Sequence, residues 1–432
     1  MNNFKYLAFL LLFAVLIMPA CGDDEPDGPD ALAVTAVTAS GTSFEDGSAR
    51  NSDLNGSASA ADVALNATIT ATFDRPVDAA TATNSSITLT SDAGDENVSV
   101  SASGNAVTID PGTELKRGTL YTLSMTGLKA TDGGTLATVT RSFTTEGRAE
   151  VVAPNTDAMI AYWSFDGDAT DATGSFNADN EVEITYGEDR FGQGNSAAGF
   201  DGDRSIIEVP GGDRLMDSDD FTLSFWMKTN SDGHVNQNGD PASNFVMGLG
   251  AFLGFQFEIP ADFSSCKLAN SYVLDDGTFV SEDMFFNGSG EDGMNGGWQG
   301  WDFVADLTGS GGVEALIKDK WVHIVCTYEA DDKLARMYIN GEYMKGHDFN
   351  LWPDMAAKRN VAGVAYQGAD DVEPILAFGF IKSIDSPKWA DTPWGDYNKT
   401  TSNHFKGQLD DIRIFSATYT AQDAKALYDA EK

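Results

Sequence analysis

The chain has 432 residues, with 27 Lys or Arg against 66 Asp or Glu, a formal net charge of −39. A polyanion of this size repels phosphate backbones and anionic lipid, which argues against nucleic-acid binding and against a basic membrane-surface helix. A content of 42% hydrophobic and 11% aromatic residues argues against wholesale disorder. The length predicts two cores, since one rarely grows beyond about 250–300 residues. The 44 glycines, with Thr, Ser, Asn and Asp crowded between short apolar alternations, point to strands and turns.

Residues 1–20 carry Lys5 and then the apolar run Tyr6–Met18, shorter than the ~20 residues that span a bilayer. The run reads as a secretory signal and ends in Met18-Pro19-Ala20-Cys21-Gly22. This ending is similar to the bacterial lipobox, which implies lipidation of Cys21 and anchoring through its acyl chains. Residues 21–31 include Asp23-Asp24-Glu25-Pro26-Asp27-Gly28-Pro29-Asp30, acidic and unable to bury anything, and read as an extended tether. The acids directly after the cysteine resemble the export signal of Bacteroidetes surface lipoproteins, which implies an outer-membrane, cell-surface location. Outside the cytoplasm the two remaining cysteines, Cys266 and Cys326, can form a disulfide, and the sequence leaves open whether they do.

Residues 32–147 alternate with period two. Ala67, Ile69, Ala71 and Phe73 share one face of a predicted strand, with threonines on the other. Segments around Ile87, Val98, Val107 and Tyr121 repeat the theme between turns such as Ser103-Gly104-Asn105, which predicts a β-sandwich. Phe73-Asp74-Arg75-Pro76-Val77-Asp78, Leu115-Lys116-Arg117-Gly118 and Arg141-Ser142-Phe143-Thr144-Thr145 resemble the bacterial Ig-like domain of surface proteins, which implies a spacer role. Residues 148–157 lack periodicity and read as a linker.

Residues 158–432 hold aromatic strands at Ile160–Asp166, Phe221–Met227, Trp321–Tyr328 and Ala335–Gly341, the last closing in an Asn340-Gly341 turn that predicts a hairpin. The strand Gly407–Phe415 precedes a short helix with Thr420 as N-cap and Asp423 near its positive end. Tyr162-Trp163-Ser164-Phe165-Asp166, Gly199-Phe200-Asp201-Gly202, Trp226, Trp321-Val322-His323, Tyr338-Ile339-Asn340-Gly341 and Leu409-Asp410-Asp411-Ile412-Arg413-Ile414 resemble the laminin-G-like, concanavalin A-like jelly roll. The expected fold class is therefore all-β: an Ig-like β-sandwich followed by a concanavalin A-like jelly roll with two long insertions. The resemblance implies a sugar- or protein-binding module of two antiparallel sheets.

The insertions lie between Trp226 and Trp321 and between Gly341 and Gly407, and long loops on a sandwich carry function. Trp163, Trp226 and Trp321 fall in the framework strands, whereas Trp298, Trp301, Trp352, Trp389 and Trp394 fall in the insertions. An indole face stacks on the C–H face of a pyranose while neighbouring polar groups meet the hydroxyls. These five tryptophans, with Arg359 and Asn398, are the candidate ligand-binding residues, against the alternative that they pack the insertions onto the sandwich. An acidic polysaccharide would need a basic patch, which Lys382, Lys388 and Lys399 only weakly supply.

In this fold a calcium commonly ties the first strand to the last, which implicates Asp166, Asp201 and Asp410. Alternation puts Asp410 on the face of Ile412 and Ile414, where a buried carboxylate needs a cation or several donors. Asp166–Asn177 is not an EF-hand loop, since Asp171 and Asn177 stand where that loop needs Gly and Glu. Retaining glucanases of the fold need closely spaced carboxylates, and neither Glu-x-Asp-x-x-Glu nor Glu-x-Asp-x-Glu occurs in 158–432. His234, His323, His347 and His404 occur singly. The preferred expectation is a non-enzymatic, lipid-anchored surface protein that binds a polysaccharide or oligosaccharide for an outer-membrane importer. The alternatives are a hydrolase or lyase of the same fold, or a protein-binding adhesin.

Overall fold

A computed structural model describes residues 29–56, 58–236, 238–291, 301–399 and 402–432; Cys21 and Trp298 lie outside them. The chain forms two compact units, one built mainly from residues up to Thr145 and the other mainly from Glu146 to Lys432.

The amino-terminal unit is a sandwich of two five-stranded sheets. One runs in the order Ala49–Asp53, Val34–Thr42, Thr68–Phe73, Ala106–Asp110, Ser99–Ser103, and the other Ala60–Val63, Val139–Thr145, Leu120–Met125, Ile87–Ser91, Gly94–Asp95. Alternation explains the packing: Ile69, Ala71 and Phe73 are buried, with the intervening threonines half-buried on the other face. They meet Leu89, Leu123 and Phe143 of the second sheet in one core.

The second unit is a larger sandwich. Its first sheet runs Thr185–Gly187, Ala197–Asp201, Lys406–Phe415, Phe221–Thr229, Trp321–Glu329, Leu334–Ile339, Glu342–Asp348, Trp301–Val304, with Met159–Trp163 also on Lys406–Phe415. The second runs Asn180–Val182, Ile206–Val209, Leu376–Phe378, Asn244–Leu249, Phe255–Ile259, Cys266–Leu274, Phe279–Phe286, with Val361–Val364 on Cys266–Leu274. The predicted hairpin forms, with Asn340 and Gly341 both at positive φ (54° and 75°) between antiparallel strands. Much of what the sequence presents as insertion is framework, because residues 244–286 supply four strands of the second sheet.

Edge-to-face rings fill the core between the sheets: Trp163 against Phe378 at 5.2 Å and Phe225 against Phe257 at 5.1 Å. Cys266 and Cys326, whose pairing the sequence leaves open, sit in this core as free thiols. Burial pushes the Cys266 thiol up to about 12, so it stays protonated and packs as a small apolar group beside Met337.

The carboxy-terminal helix Ala421–Glu431 covers the outer face of the first sheet. Trp226, though on a framework strand, points outward and packs against His323 at 5.1 Å and Tyr428 at 5.8 Å. Thr420 caps the helix through a reciprocal box with Asp423. Thr420→Ala is expected to lower the stability of this unit by about 1 kcal/mol in chemical denaturation, since it unpairs a first-turn donor.

Candidate functional site

Strict alternation on three neighbouring strands builds the floor of the site. Phe255, Phe257 and Ile259 enter the core, so Gln256 and Glu258 take the opposite face. Cys266 and Leu268 likewise leave Lys267 and Ala269 outward, and Met284 and Phe286 leave Ser281, Asp283 and Phe285 outward. The register sets Glu258, Lys267 and Phe285 in one row across the strands and Gln256, Ala269 and Asp283 in the next.

This face is the floor of a groove of about 860 Å³, within the ~300–1,000 Å³ of small-molecule sites. Phe245, Phe252, Trp389 and Trp394 line it on one side, and Trp301 and Phe285 on the other. Trp389 and Trp394 meet at 4.9 Å, and Trp389 rests on Phe252 at 5.2 Å. Trp394 is 42% exposed, an accessible indole beside the polar floor. The turn that presents them is tight: Trp389 has φ 57°, and a Cβ on Gly395 would come within 2.8 Å of Trp389 and of Thr392.

On the floor one ammonium serves two carboxylates. The Lys267 ammonium lies 2.6 Å from Glu258 and 3.0 Å from Asp283. Burial pulls Lys267 down, but the two carboxylates outweigh it and hold the ammonium above its ordinary value. At the Trp301 end, Lys345 is buried with its Nζ 3.5 Å from the indole centroid, and burial lowers it to about 7. Glu282 is raised by burial and pairs with Lys358, while burial drives neighbouring His347 well below its usual value.

Three of the candidate tryptophans, Trp301, Trp389 and Trp394, thus converge from segments far apart in sequence. Three other candidates do not join them. Trp352 is half-buried against the main core, under Lys358, and Arg359 donates to its carbonyl at 2.8 Å. Asn398 is exposed in a turn capped by Asp396. The lysine patch also dissolves, since Lys382 is buried and donates to the Ser386 carbonyl and Lys399 lies near Asp396. Lys388 remains at the rim, over Phe252.

The calcium ligand set does not assemble. Lys406–Phe415 carries a β-bulge, with Asp411 at φ 49°, so Leu409, Ile412 and Ile414 face the core while Asp410 and Asp411 both turn outward. That break in alternation corrects the placing of Asp410 on the isoleucine face. Arg190 pairs with both carboxylates, and Arg413 and Arg148 reach Asp411 at 3.2 and 3.1 Å. Burial raises Asp411, yet these guanidiniums win and hold it below the carboxylate range. Asp201 instead accepts backbone N–H bonds from Asp203, Arg204 and Ser205, and Asp166 is raised by burial with Ser196 and Ser164 as hydroxyl partners. Among the described residues no group of three or more His, Cys, Asp or Glu is placed to hold a metal. These residues do not fit a calcium ion: guanidiniums pair with Asp410, Asp411 and Asp166, and backbone N–H groups hold Asp201.

The lobe carrying Trp389 and Trp394 has its own small core of Phe380, Ile381, Tyr397 and Phe245. His404 stacks on Phe380 at 4.5 Å, its Nε2 lies 3.0 Å from the Tyr397 carbonyl, and burial lowers it to about 4. Asp201, His234 and Lys382 are the charged or titratable groups around it. Because the folded value lies below the unfolded ~6.5, neutral His404 contributes fully above pH 6.5, and the contribution is lost as pH falls through 4. Protection factors of amides in 380–399 and 402–405, corrected for the intrinsic pH dependence of exchange, are therefore expected to fall between pH 6.5 and 4, by on the order of 3 kcal/mol of opening free energy. His404→Phe should flatten this dependence.

The two-sheet β-sandwich of the second unit carries this groove across one of its sheets. Residues 201–373 match the family model of the concanavalin A-like lectin/glucanases superfamily, and residues 52–145 that of the bacterial Ig-like domain. Each compact unit is thus similar over part of its length to one of these two families. No curated protein matches it. Among solved structures it is similar to the receptor-binding domain of botulinum neurotoxin mosaic serotype C/D (TM-score 0.39, 14% identity, covering 64% of this chain and 51% of that one). It is similar also to that of type G (TM-score 0.37, 14% identity, 63% and 51%). The chain spans about half the length of these structures.

Proposed function

We propose that the protein is a cell-surface carbohydrate-binding protein, lipid-anchored at Cys21 in the outer membrane, that captures polysaccharide for a glycan-uptake system without cleaving it. One observation carries the reading: three indoles from two separate segments wall a polar groove laid across one sheet. Aromatic faces beside paired polar groups suit a ligand that is apolar on its ring faces and hydroxylated at its edges. The superfamily match supports the reading at the level of fold.

Affinity electrophoresis of the protein through gels containing a polysaccharide panel tests it. Retardation by at least one glycan, with no reducing ends released, is the expected result. Release of reducing ends or unsaturated products would make the protein a hydrolase or lyase. No retardation on any glycan would leave the adhesin alternative in its place.

A further inference from the structure

The floor of the groove holds an arrangement that bears on the kind of glycan it takes. A carboxylate can only accept, so the 3.2 Å contact between Glu258 and Gln256 is made by the Gln256 amide nitrogen, which fixes the direction of the amide. Among the described residues Gln256 Oε1 has no hydrogen-bond partner; it is buried, on a residue only 6% exposed that lines the groove. Across the sheet, beyond the short side chain of Ala269, stands Asp283. Ala269 leaves a hollow between two acceptors. The nearest cation, Lys267, is already held by Glu258 and Asp283, so these three groups leave one negative charge in excess. Glu282 at the edge is matched by Lys358, Lys388 stands apart over Phe252 on the wall, and Lys345 lies buried against Trp301, its charge weakened by burial.

We infer that the groove selects neutral, hydroxyl-rich glycans, whose hydroxyls donate to Gln256 Oε1 and Asp283 over the Ala269 hollow, and rejects uronate- or sulfate-bearing polymers. This rests on the reading of the groove as a glycan site. A hydroxyl has a proton to give to a buried acceptor that lacks a donor; an acidic polymer keeps hydroxyls, but its carboxylate or sulfate group placed over the acceptor row has none to give. The acidic group would also meet the like charge of Asp283 and Glu258 with no unpaired cation on the floor to offset it.

The test runs the full protein through gels holding dextran, laminarin or galactomannan, and in parallel dextran sulfate, alginate or polygalacturonate. Retardation by at least one neutral polymer and by none of the acidic ones is expected. Gln256→Leu, which keeps volume and removes the acceptor, should weaken that retardation at least tenfold. Asp283→Ala, a more exposed position, should weaken it as well if the first variant folds poorly. Retardation by acidic polymers alone overturns the inferred class while the groove stays a glycan site. Silence on every polymer overturns the glycan reading and this inference together. Unchanged binding by folded variants at both positions overturns the role of the acceptor row.

Discussion

Arg413→Met lowers the stability of the carboxy-terminal unit by about 3–5 kcal/mol and its melting temperature by on the order of 10 °C. Arg413 is fully buried on the last strand, above the Tyr162 ring at 4.1 Å. Its guanidinium lies 3.2 Å from Asp411 and 2.7 Å from Glu431 of the carboxy-terminal helix, the latter contact an ion pair off the hydrogen-bond axis. Arg148, Arg190 and Arg413 face the carboxyl groups of Asp410, Asp411 and Glu431; burial raises Asp410 and Glu431, while the guanidiniums keep Asp411 ionised. Methionine fills similar volume but strands a carboxylate in a site with little water, and the cost of that unpaired charge dominates. Arg413→Lys should recover only part of the loss, because an ammonium cannot serve both carboxylates with a planar fork. Calorimetry on the three proteins checks this, and a loss under 1 kcal/mol for Arg413→Met would show the network to be dispensable.

Trp394→Ala weakens retardation on the recognised glycan by roughly thirtyfold, about 2 kcal/mol, the range of an aromatic anchor at a binding surface. Trp394 is 42% exposed and touches the protein by its edge against Phe245 at 6.2 Å and by its tilt against Trp389 at 4.9 Å. Its removal therefore takes away ligand surface with little loss of core. Trp352→Phe is the matched control: Trp352 packs on the main core away from the groove lining, so retardation should not change. Equal losses from the two variants would mean that the groove is not what binds.

The two results depend on different kinds of information. Trp301, Trp389 and Trp394 stood out in the sequence because they fall outside the framework motifs, and Trp352 stood out for the same reason. Nothing local separates them; what differs is which tertiary surface each segment lands on. The floor residues Gln256, Glu258, Lys267 and Asp283 went unread as a site. Their signal was present, since Phe255-Gln256-Phe257-Glu258-Ile259 alternates strictly, and it would have marked the segment as a strand with a polar face. Which strands lie beside it, and in which register, is a matter of long-range pairing.

The sequence by itself determined the all-β class, the Asn340-Gly341 hairpin and the Thr420 cap, because period-two alternation, turn chemistry and capping act over a few residues. The tertiary structure alone decided that one bulge at Asp411 turns two carboxylates toward three arginines, that two cysteines face the core unbonded, and that three of the indoles share a groove. Each of these depends on where distant strands meet, and a single-residue shift in register carries a side chain from one face of a sheet to the other.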